Sequence, residues 1–180
     1  MEAGTDEREL VRQAVAGSDS AFTTLLERNR GVLWSICLRI TGNHHDAQDA
    51  LQDAIVAAWR NLDRFRGDSR FSTWLYRITV NAALRIVRKR RDGPASDGDM
   101  FSDIPVADGS DAVDNSDVVQ QCLSKVPEPY RAALVLRVWG DCSYQEIADH
   151  LDIPVQTVKS RIHRAKRDLR ARIDVADAVG

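Results

Sequence analysis

The sequence predicts an all-α protein: two small helical domains joined by a flexible acidic linker, the second domain a helix-turn-helix. Three observations carry that prediction. Strand signals are nearly absent, while helix caps and helical spacing recur. A stretch rich in Asp, Gly, Ser and Pro, residues 92–117, divides the chain. The segment from Ser143 to Arg172 reads as two helices about a tight turn.

The bulk numbers fit that division. A chain of 180 residues, 43% of them hydrophobic, can form one medium core or two small ones. The formal net charge is -2, but it is unevenly spread. Residues 1–91 hold 15 bases and 11 acids, residues 92–117 hold 8 acids and no base, and residues 118–180 hold 10 bases and 8 acids. Two mildly basic blocks therefore flank an acidic one. Cys37, Cys122 and Cys142 are an odd number without close CxxC spacing, which argues against a disulfide framework or zinc site and for a reducing cytoplasm. No metal or other cofactor is expected. There is no signal peptide and no apolar run of membrane-spanning length.

In the first block, Thr5 or Asp6 can cap a helix that Gly17 stops. Ser20 can start a second, with Phe22, Leu25, Leu26, Val32, Leu33, Ile36 and Ile40 facing the core and Gly42 ending it. Asn43 or His44 opens a third that runs to about Arg64. Its apolar positions Ala47, Ala50, Leu51, Ala54, Ile55, Ala58 and Leu62 fall at helical spacing. Asp46, Asp49, Gln52 and Asp53 cluster on its other face. Acids early in a helix suit its dipole, which accounts for Asp46 and Asp49 more readily than for Gln52 and Asp53. A protein-binding patch is the alternative, and spacing alone leaves both open.

Phe65 to Arg70 reads as a tight loop with Gly67-Asp68 at its turn. A fourth helix, about Phe71 to Arg91, buries Phe71, Trp74, Leu75, Ile78, Ala82 and Ile86. Arg77, Asn81, Arg85 and Arg88 line another side. Between Arg60 and Arg91 stand ten bases and two acids, with aromatics interleaved. Aromatics in a positive groove suit stacking on single-stranded bases, although Phe71 and Trp74 also fit a core.

Residues 92–117 cannot bury enough apolar surface to fold alone and read as a linker averaging roughly 25–30 Å end to end. Met100, Phe101 and Ile104 are its sizeable apolar groups. After it, Asn115 or Ser116 restarts helix with Val118, Val119, Cys122, Leu123 and Val126 inward. Pro127 and Pro129 begin the next, which carries Ala132, Ala133, Val135, Leu136 and Val138 before Gly140.

Ser143 and Glu146 form a capping box ahead of Ile147, Ala148 and Leu151. Pro154 suits the first turn of the following helix. There Val158, Ile162, Ala165 and Leu169 make one apolar stripe. The opposite face holds Gln156, Ser160, His163, Arg164 and Arg167, with Thr157 nearby and Lys159 and Arg161 on the flanks. In a helix-turn-helix the second helix enters the major groove, base edges ahead of it and phosphates beside it. An ordinary helical hairpin with a solvated basic face is the plainer alternative.

Three ordered stretches resemble a known family. DAQDALQDAIVAAW, FRGDSRFSTWLYRITVNAAL and VPEPYRAALVLRVWGDCSYQEIADHLDIPVQTVKSRIHRAKRDLR are similar to the polymerase-binding helix, the promoter-melting segment and the upstream-element reader of bacterial RNA polymerase sigma factors of the extracytoplasmic-function (ECF) group. The resemblance covers nearly the whole chain, and no large N-terminal inhibitory region or further C-terminal domain is expected. It implies a first domain over 1–91, a linker over 92–117 and a second domain over 118–180. It implies that Asp49, Gln52 and Asp53 dock on the clamp helices of the largest subunit of core RNA polymerase. Arg64, Arg66, Gly67, Asp68 and Arg70 would form a pocket for a flipped-out base of the -10 element. Trp74, Arg77, Asn81, Arg85 and Arg88 would engage or open the promoter DNA there. Gln156, Thr157, Lys159, Ser160, Arg161, His163, Arg164 and Arg167 would read the -35 element, while the second domain also grips the polymerase flap. Members of the group are commonly held by an anti-sigma factor. Asp53 stands where the family often has Glu, which keeps the charge.

No nucleophile-base arrangement, phosphate loop or metal-ligand set is present in the sequence, so no catalytic residue is expected. A conventional helix-turn-helix regulator, binding duplex DNA without polymerase, is the competing function. Asp49, Gln52 and Asp53 together with the basic helix ending at Arg91 argue against it.

Overall fold

The structure is a computed structural model that describes residues 3–92 and 115–179. The expected linker, with Met100, Phe101 and Ile104, falls almost wholly outside the described residues. Among those described, the regular elements are all helical.

Helix α1 spans Ala3–Val15. It begins upstream of the cap expected at Thr5 or Asp6. Helix α2 spans Asp19–Thr41 and starts earlier than Ser20. Ser18 supplies the same hydroxyl chemistry ahead of an acid, and its Oγ accepts from the Ala21 N–H at 3.3 Å. Gly42 closes α2 at φ +88°, a left-handed conformation that favours glycine.

Helix α3 spans His44–Arg60. The Asn43 side chain caps it, accepting from the Asp46 N–H at 2.8 Å. It stops short of the expected Arg64. The Asn61 amide turns back to donate to the Ala57 carbonyl at 2.8 Å, competing with further helix. A single 3-10 turn, Leu62–Arg64, follows. Helix α4 spans Phe71–Asp92.

Helices α1 to α4 form the first module. The fully buried residues of α3 are Ala47, Ala50, Ala54 and Ala58, so its backbone can approach α2 and α4 closely. Leu25, Leu33, Ile36 and Ile40 of α2 and Leu75 and Val80 of α4 fill the space between. Phe65, Phe71 and Trp74 pack as a trio with ring centroids 5.3–5.6 Å apart. That trio fastens the loop to α4, so these aromatics serve the core, one of the two readings the sequence allowed. Arg90 bonds Asp46 at 2.7 Å and ties the end of α4 to the start of α3.

The second module comprises α5 (Asn115–Ser124), α6 (Glu128–Val138), α7 (Tyr144–Leu151) and α8 (Val155–Val179). Its core holds Leu123, Val126, Val135, Ile147, Val158, Ile162 and Ala165. Val138, expected inside, is 53% exposed; α6 ends there, and the chain turns away before Cys142 re-enters the core. Six consecutive residues of α6, Arg131 to Leu136, are buried. A helix buried on every side must have neighbours on every side. α6 has α8 and α7 on one flank and α2 and α4 on the other.

The two modules therefore touch directly. Arg39 of α2 donates to the Gln120 side chain at 3.0 Å, and Gln120 donates to the Leu38 carbonyl at 3.0 Å. The Arg39 guanidinium also lies 5.2 Å from the Trp139 ring centroid. Arg88 of α4 pairs with Glu128 of α6 at 3.0 Å. Thr73 of α4 bonds Glu146 of α7 at 3.1 Å.

Candidate nucleic-acid interface

The paired helices α7 and α8 form as their sequence requires. The Ser143 Oγ accepts from the Glu146 N–H at 3.2 Å, and Glu146 Oε2 accepts from the Ser143 N–H at 2.7 Å, completing the capping box. Asp152 ends α7 at φ +52°. The Pro154 carbonyl accepts from the Thr157 and Val158 N–H groups at 2.9 and 3.1 Å. Pro154 thus stands just ahead of α8 rather than in its first turn. Val158, Ile162 and Ala165 are buried, and Leu169 is half-buried.

That burial leaves the opposite side of α8 outward. Gln156, Lys159, Ser160, His163, Arg164 and Arg167 are exposed, while Thr157 and Arg161 are half-buried at the flanks. Arg164 reaches Tyr130 on α6, its guanidinium 5.5 Å from the ring centroid. A row of donors on an open helix face suits major-groove acceptors and phosphates.

The first module carries a second basic surface. Arg64, Arg66, Gly67, Asp68 and Arg70 are exposed around the loop. Gly67 has φ +78°, so a side chain there would strain the turn. Arg77, Asn81, Arg85 and Arg88 are all exposed along α4, whereas Trp74 is half-buried in the aromatic trio. The structure thus brings the loop and the α4 stripe together on one module.

Part of this surface faces the second module. Arg88 is engaged by Glu128. Arg70 and Arg77 stand close enough to α7 to act electrostatically on Glu146 and His150. Burial raises the Glu146 carboxyl, but hydrogen bonds from Ser143 and Thr73 and the charge of Arg70 outweigh it and hold the group below its ordinary value. Burial, then the charge of Arg77, pushes His150 below its ordinary value.

On α3, Asp49, Gln52 and Asp53 are exposed, whereas Asp46 is half-buried in its pair with Arg90. Asp46 thus has a structural partner. On the same helix Val56 and Trp59 are 42% and 43% exposed. Gln52, Val56 and Trp59 recur at i, i+4 and i+7, so they continue the acidic patch as one stripe. That spacing was visible in the sequence. Trp59 packs against Phe22 with centroids 5.0 Å apart, which holds the ring in place.

A helix-turn-helix with an open basic recognition face, joined to a second basic module, defines a sequence-reading DNA-binding protein. Residues 25–92 match Sigma-70 region 2, and residues 116–169 match Sigma-70, region 4. The chain belongs to the sigma-70 family of RNA polymerase sigma factors, in its ECF group. It is 36% identical over 177 residues to the ECF RNA polymerase sigma factor SigW of Bacillus subtilis, covering 91% of this chain and 94% of that one. It is 36% identical to the ECF RNA polymerase sigma-E factor of Escherichia coli K12, covering 87% and 88%.

Two solved structures have similar folds. CnrH in complex with the cytosolic domain of CnrY matches at a TM-score of 0.69 and 27% identity, over 94% of this chain and 98% of that one. The sigma factor RpoE in complex with the anti-sigma factor NepR from Bartonella quintana matches at 0.73 and 25%, over 86% and 97%.

Proposed function

We propose that this chain binds core RNA polymerase, directs it to specific promoters and promotes opening of the DNA. Residues 1–91 act as the core-binding and -10 module, residues 118–180 as the -35 module, and residues 92–117 connect them. The observation that carries this reading is the arrangement of the first module. An exposed stripe of Asp49, Gln52, Asp53, Val56 and Trp59 on α3 accompanies an exposed basic stripe on α4. A conventional regulator of duplex DNA has use for neither.

The stripe on α3 offers carboxylates and an aromatic anchor to the clamp helices of the largest polymerase subunit, and the second module grips the flap. Opening duplex DNA costs about 1.4 kcal/mol per base-pair step, so a short bubble costs several kcal/mol. Extruding one base costs a few kcal/mol more. Capture of that base at the Arg64 to Arg70 loop, and phosphate contacts from Arg77, Arg85 and Arg88, offset this once polymerase holds both modules in register. Asn81 reads or wedges the duplex. On α8, Gln156, Ser160, His163, Arg164 and Arg167 face base edges, and Lys159 and Arg161 face phosphates.

On this reading the two modules engage separate stretches of one duplex at once, the -10 and the -35 element, and firm contact between the modules limits that reach. The packed form is therefore a free or inhibitor-bound form, and promoter binding parts the modules and releases Arg88 from Glu128. The similar sigma factor RpoE, crystallised with the anti-sigma factor NepR, suggests a comparable inhibitor here.

The test is co-purification with core polymerase, then run-off transcription from a promoter library. Co-purification with selective transcripts supports the reading. Tight, sequence-specific duplex binding without polymerase, together with failure to associate with core, would favour the conventional regulator.

A further inference from the structure

Among the described recognition residues of α8, Arg164 has its guanidinium over an aromatic ring. Its Cζ lies 5.5 Å from the Tyr130 ring centroid, and its Nη1 donates to the Tyr130 hydroxyl at 3.4 Å. Tyr130 belongs to another helix, 34 residues away in sequence. It sits half-buried in the first turn of α6, where its N–H bonds the Pro127 carbonyl at 3.0 Å. The next residue, Arg131, is buried and donates to the Ser124 carbonyl at 3.0 Å. The ring therefore stands on backbone that is pinned on both sides.

We propose that Tyr130 is a positioning residue that presents Arg164 to a guanine of the upstream promoter element. This rests on the promoter-reading role given above for α8. A guanidinium uses its face to stack and its edge to donate, and the two uses are compatible. Stacked on Tyr130, Arg164 keeps an N–H edge free. That edge is the fork that pairs with guanine O6 and N7 in the major groove. An unsupported arginine on an exposed helix loses side-chain freedom when it binds a base. One already resting on a fixed ring loses less, and the difference favours the matched base. The long Nη1 contact to the hydroxyl is weak and gives way easily to a better acceptor. The ring, more than the hydroxyl, does the positioning.

The experiment uses holoenzyme assembled from the full chain and core polymerase, on promoters randomised across the upstream element. Arg164→Ala locates the base pair that Arg164 reads. Tyr130→Leu keeps apolar bulk against α8 and removes the π face; Tyr130→Phe keeps the face and removes the hydroxyl. The expected result is that Tyr130→Leu lowers the preference at that one base pair by about two- to fivefold, the worth of an exposed cation–π contact. Tyr130→Phe stays close to wild type. In an Arg164→Ala background, Tyr130→Leu changes no preference. The proposal is overturned if Tyr130→Leu weakens all sequences alike, leaves the preference intact, or acts equally without Arg164. Positional loss with Arg164→Ala beside an inert Tyr130→Leu would remove the positioning role and leave the promoter-reading role standing. No positional effect of Arg164→Ala would remove both.

Discussion

The Thr73 hydroxyl of α4 donates to Glu146 Oε1 at 3.1 Å, while the other carboxylate oxygen, Oε2, accepts from the Ser143 N–H at 2.7 Å. One side chain thus closes the capping box of the helix-turn-helix and bonds the basic helix of the other module. It stands beside a more extensive seam, where the buried run of α6 packs against α2 and α4. The Arg88–Glu128 pair adds little to that seam, since its arginine is 58% exposed and exposed pairs contribute about 0–1 kcal/mol.

Thr73→Val should loosen the contact between modules and leave α7 intact. Glu146→Ala should loosen that contact and also weaken α7, because it removes one half of the capping box. Fluorescence transfer between one dye on each module reads the first effect, and denaturant unfolding reads the second. Equal transfer in wild type and Thr73→Val would mean that the hydroxyl does not help hold the modules together.

The exposed stripe on α3 should cost core affinity when broken. Anchoring aromatics carry about 2 kcal/mol or more at interface centres. Trp59→Ala is therefore expected to weaken core binding by more than about tenfold, at 1.4 kcal/mol per factor of ten. Val56→Asp, which leaves the packing of Trp59 on Phe22 alone, should also weaken it. Titration of labelled chain with core polymerase measures both. Unchanged affinity in both variants would move the docking surface off this face.

The helix-turn-helix was legible because its signals are local. Ser143 with Glu146, Pro154, and the spacing of Val158, Ile162 and Ala165 all act within one or two turns. The same holds for the alanine face of α3 and for Gly42 and Gly67. The contact between modules was not legible. Thr73 and Glu146 lie 73 residues apart, and Arg39 and Gln120 lie 81 apart. No periodicity encodes such a pairing. In α6 the run Ala132 to Leu136 is apolar all round in sequence, which marks a helix buried on every side without naming the helices that cover it. Helices α2 and α4 supply the second flank, and even Arg131 is buried. Val56 and Trp59 carry no surface signal of their own in sequence, because helical apolar residues are more often core than surface.

His150 predicts a pH dependence. It is half-buried between α7 and α4, and its Nε2 has no hydrogen-bond partner. Arg77 faces it from α4, as does the Thr73 backbone, with Glu146 and Asp149 on its own helix. Burial and then Arg77 lower its pKa against the opposing pull of those carboxylates and of the backbone bond. The unfolded chain, near the ordinary value of about 6.5, then binds more protons than the folded one. Stability is complete above that value and falls as the pH drops through it toward the lower folded value. Urea unfolding at a series of pH values should give a slope in this window that His150→Gln reduces. Identical slopes would show that the imidazole titrates alike in both states.

The buried thiols should be slow to react. Burial pushes Cys37 up to about 12. Burial, with Glu146 and Asp141 nearby, pushes Cys142 up to about 12 as well. The thiolate is the nucleophile, and near neutral pH it is scarce at both positions. Native alkylation followed by mass spectrometry should leave both unmodified under conditions that label them fully in urea. Rapid native labelling of either would indicate that its module opens readily.

If one basic surface works on opened DNA and the other on duplex, as proposed above, the two should fail differently. Asn81→Ala is expected to reduce open-complex formation more than binding to the upstream element, as its proposed place at the strand opening requires. On α8, Arg164→Ala should cost about 1–3 kcal/mol and relax specificity at one position, as loss of a fork to a guanine does. Lys159→Ala should weaken binding on every sequence and lower the salt slope by about one, as loss of one phosphate contact does. Permanganate footprinting of open promoter, set against duplex binding at several salt concentrations, separates the three. If Asn81→Ala lowered both steps equally, its place at the strand opening would be lost. If Arg164→Ala and Lys159→Ala acted alike on all sequences, α8 would be gripping the backbone without reading bases.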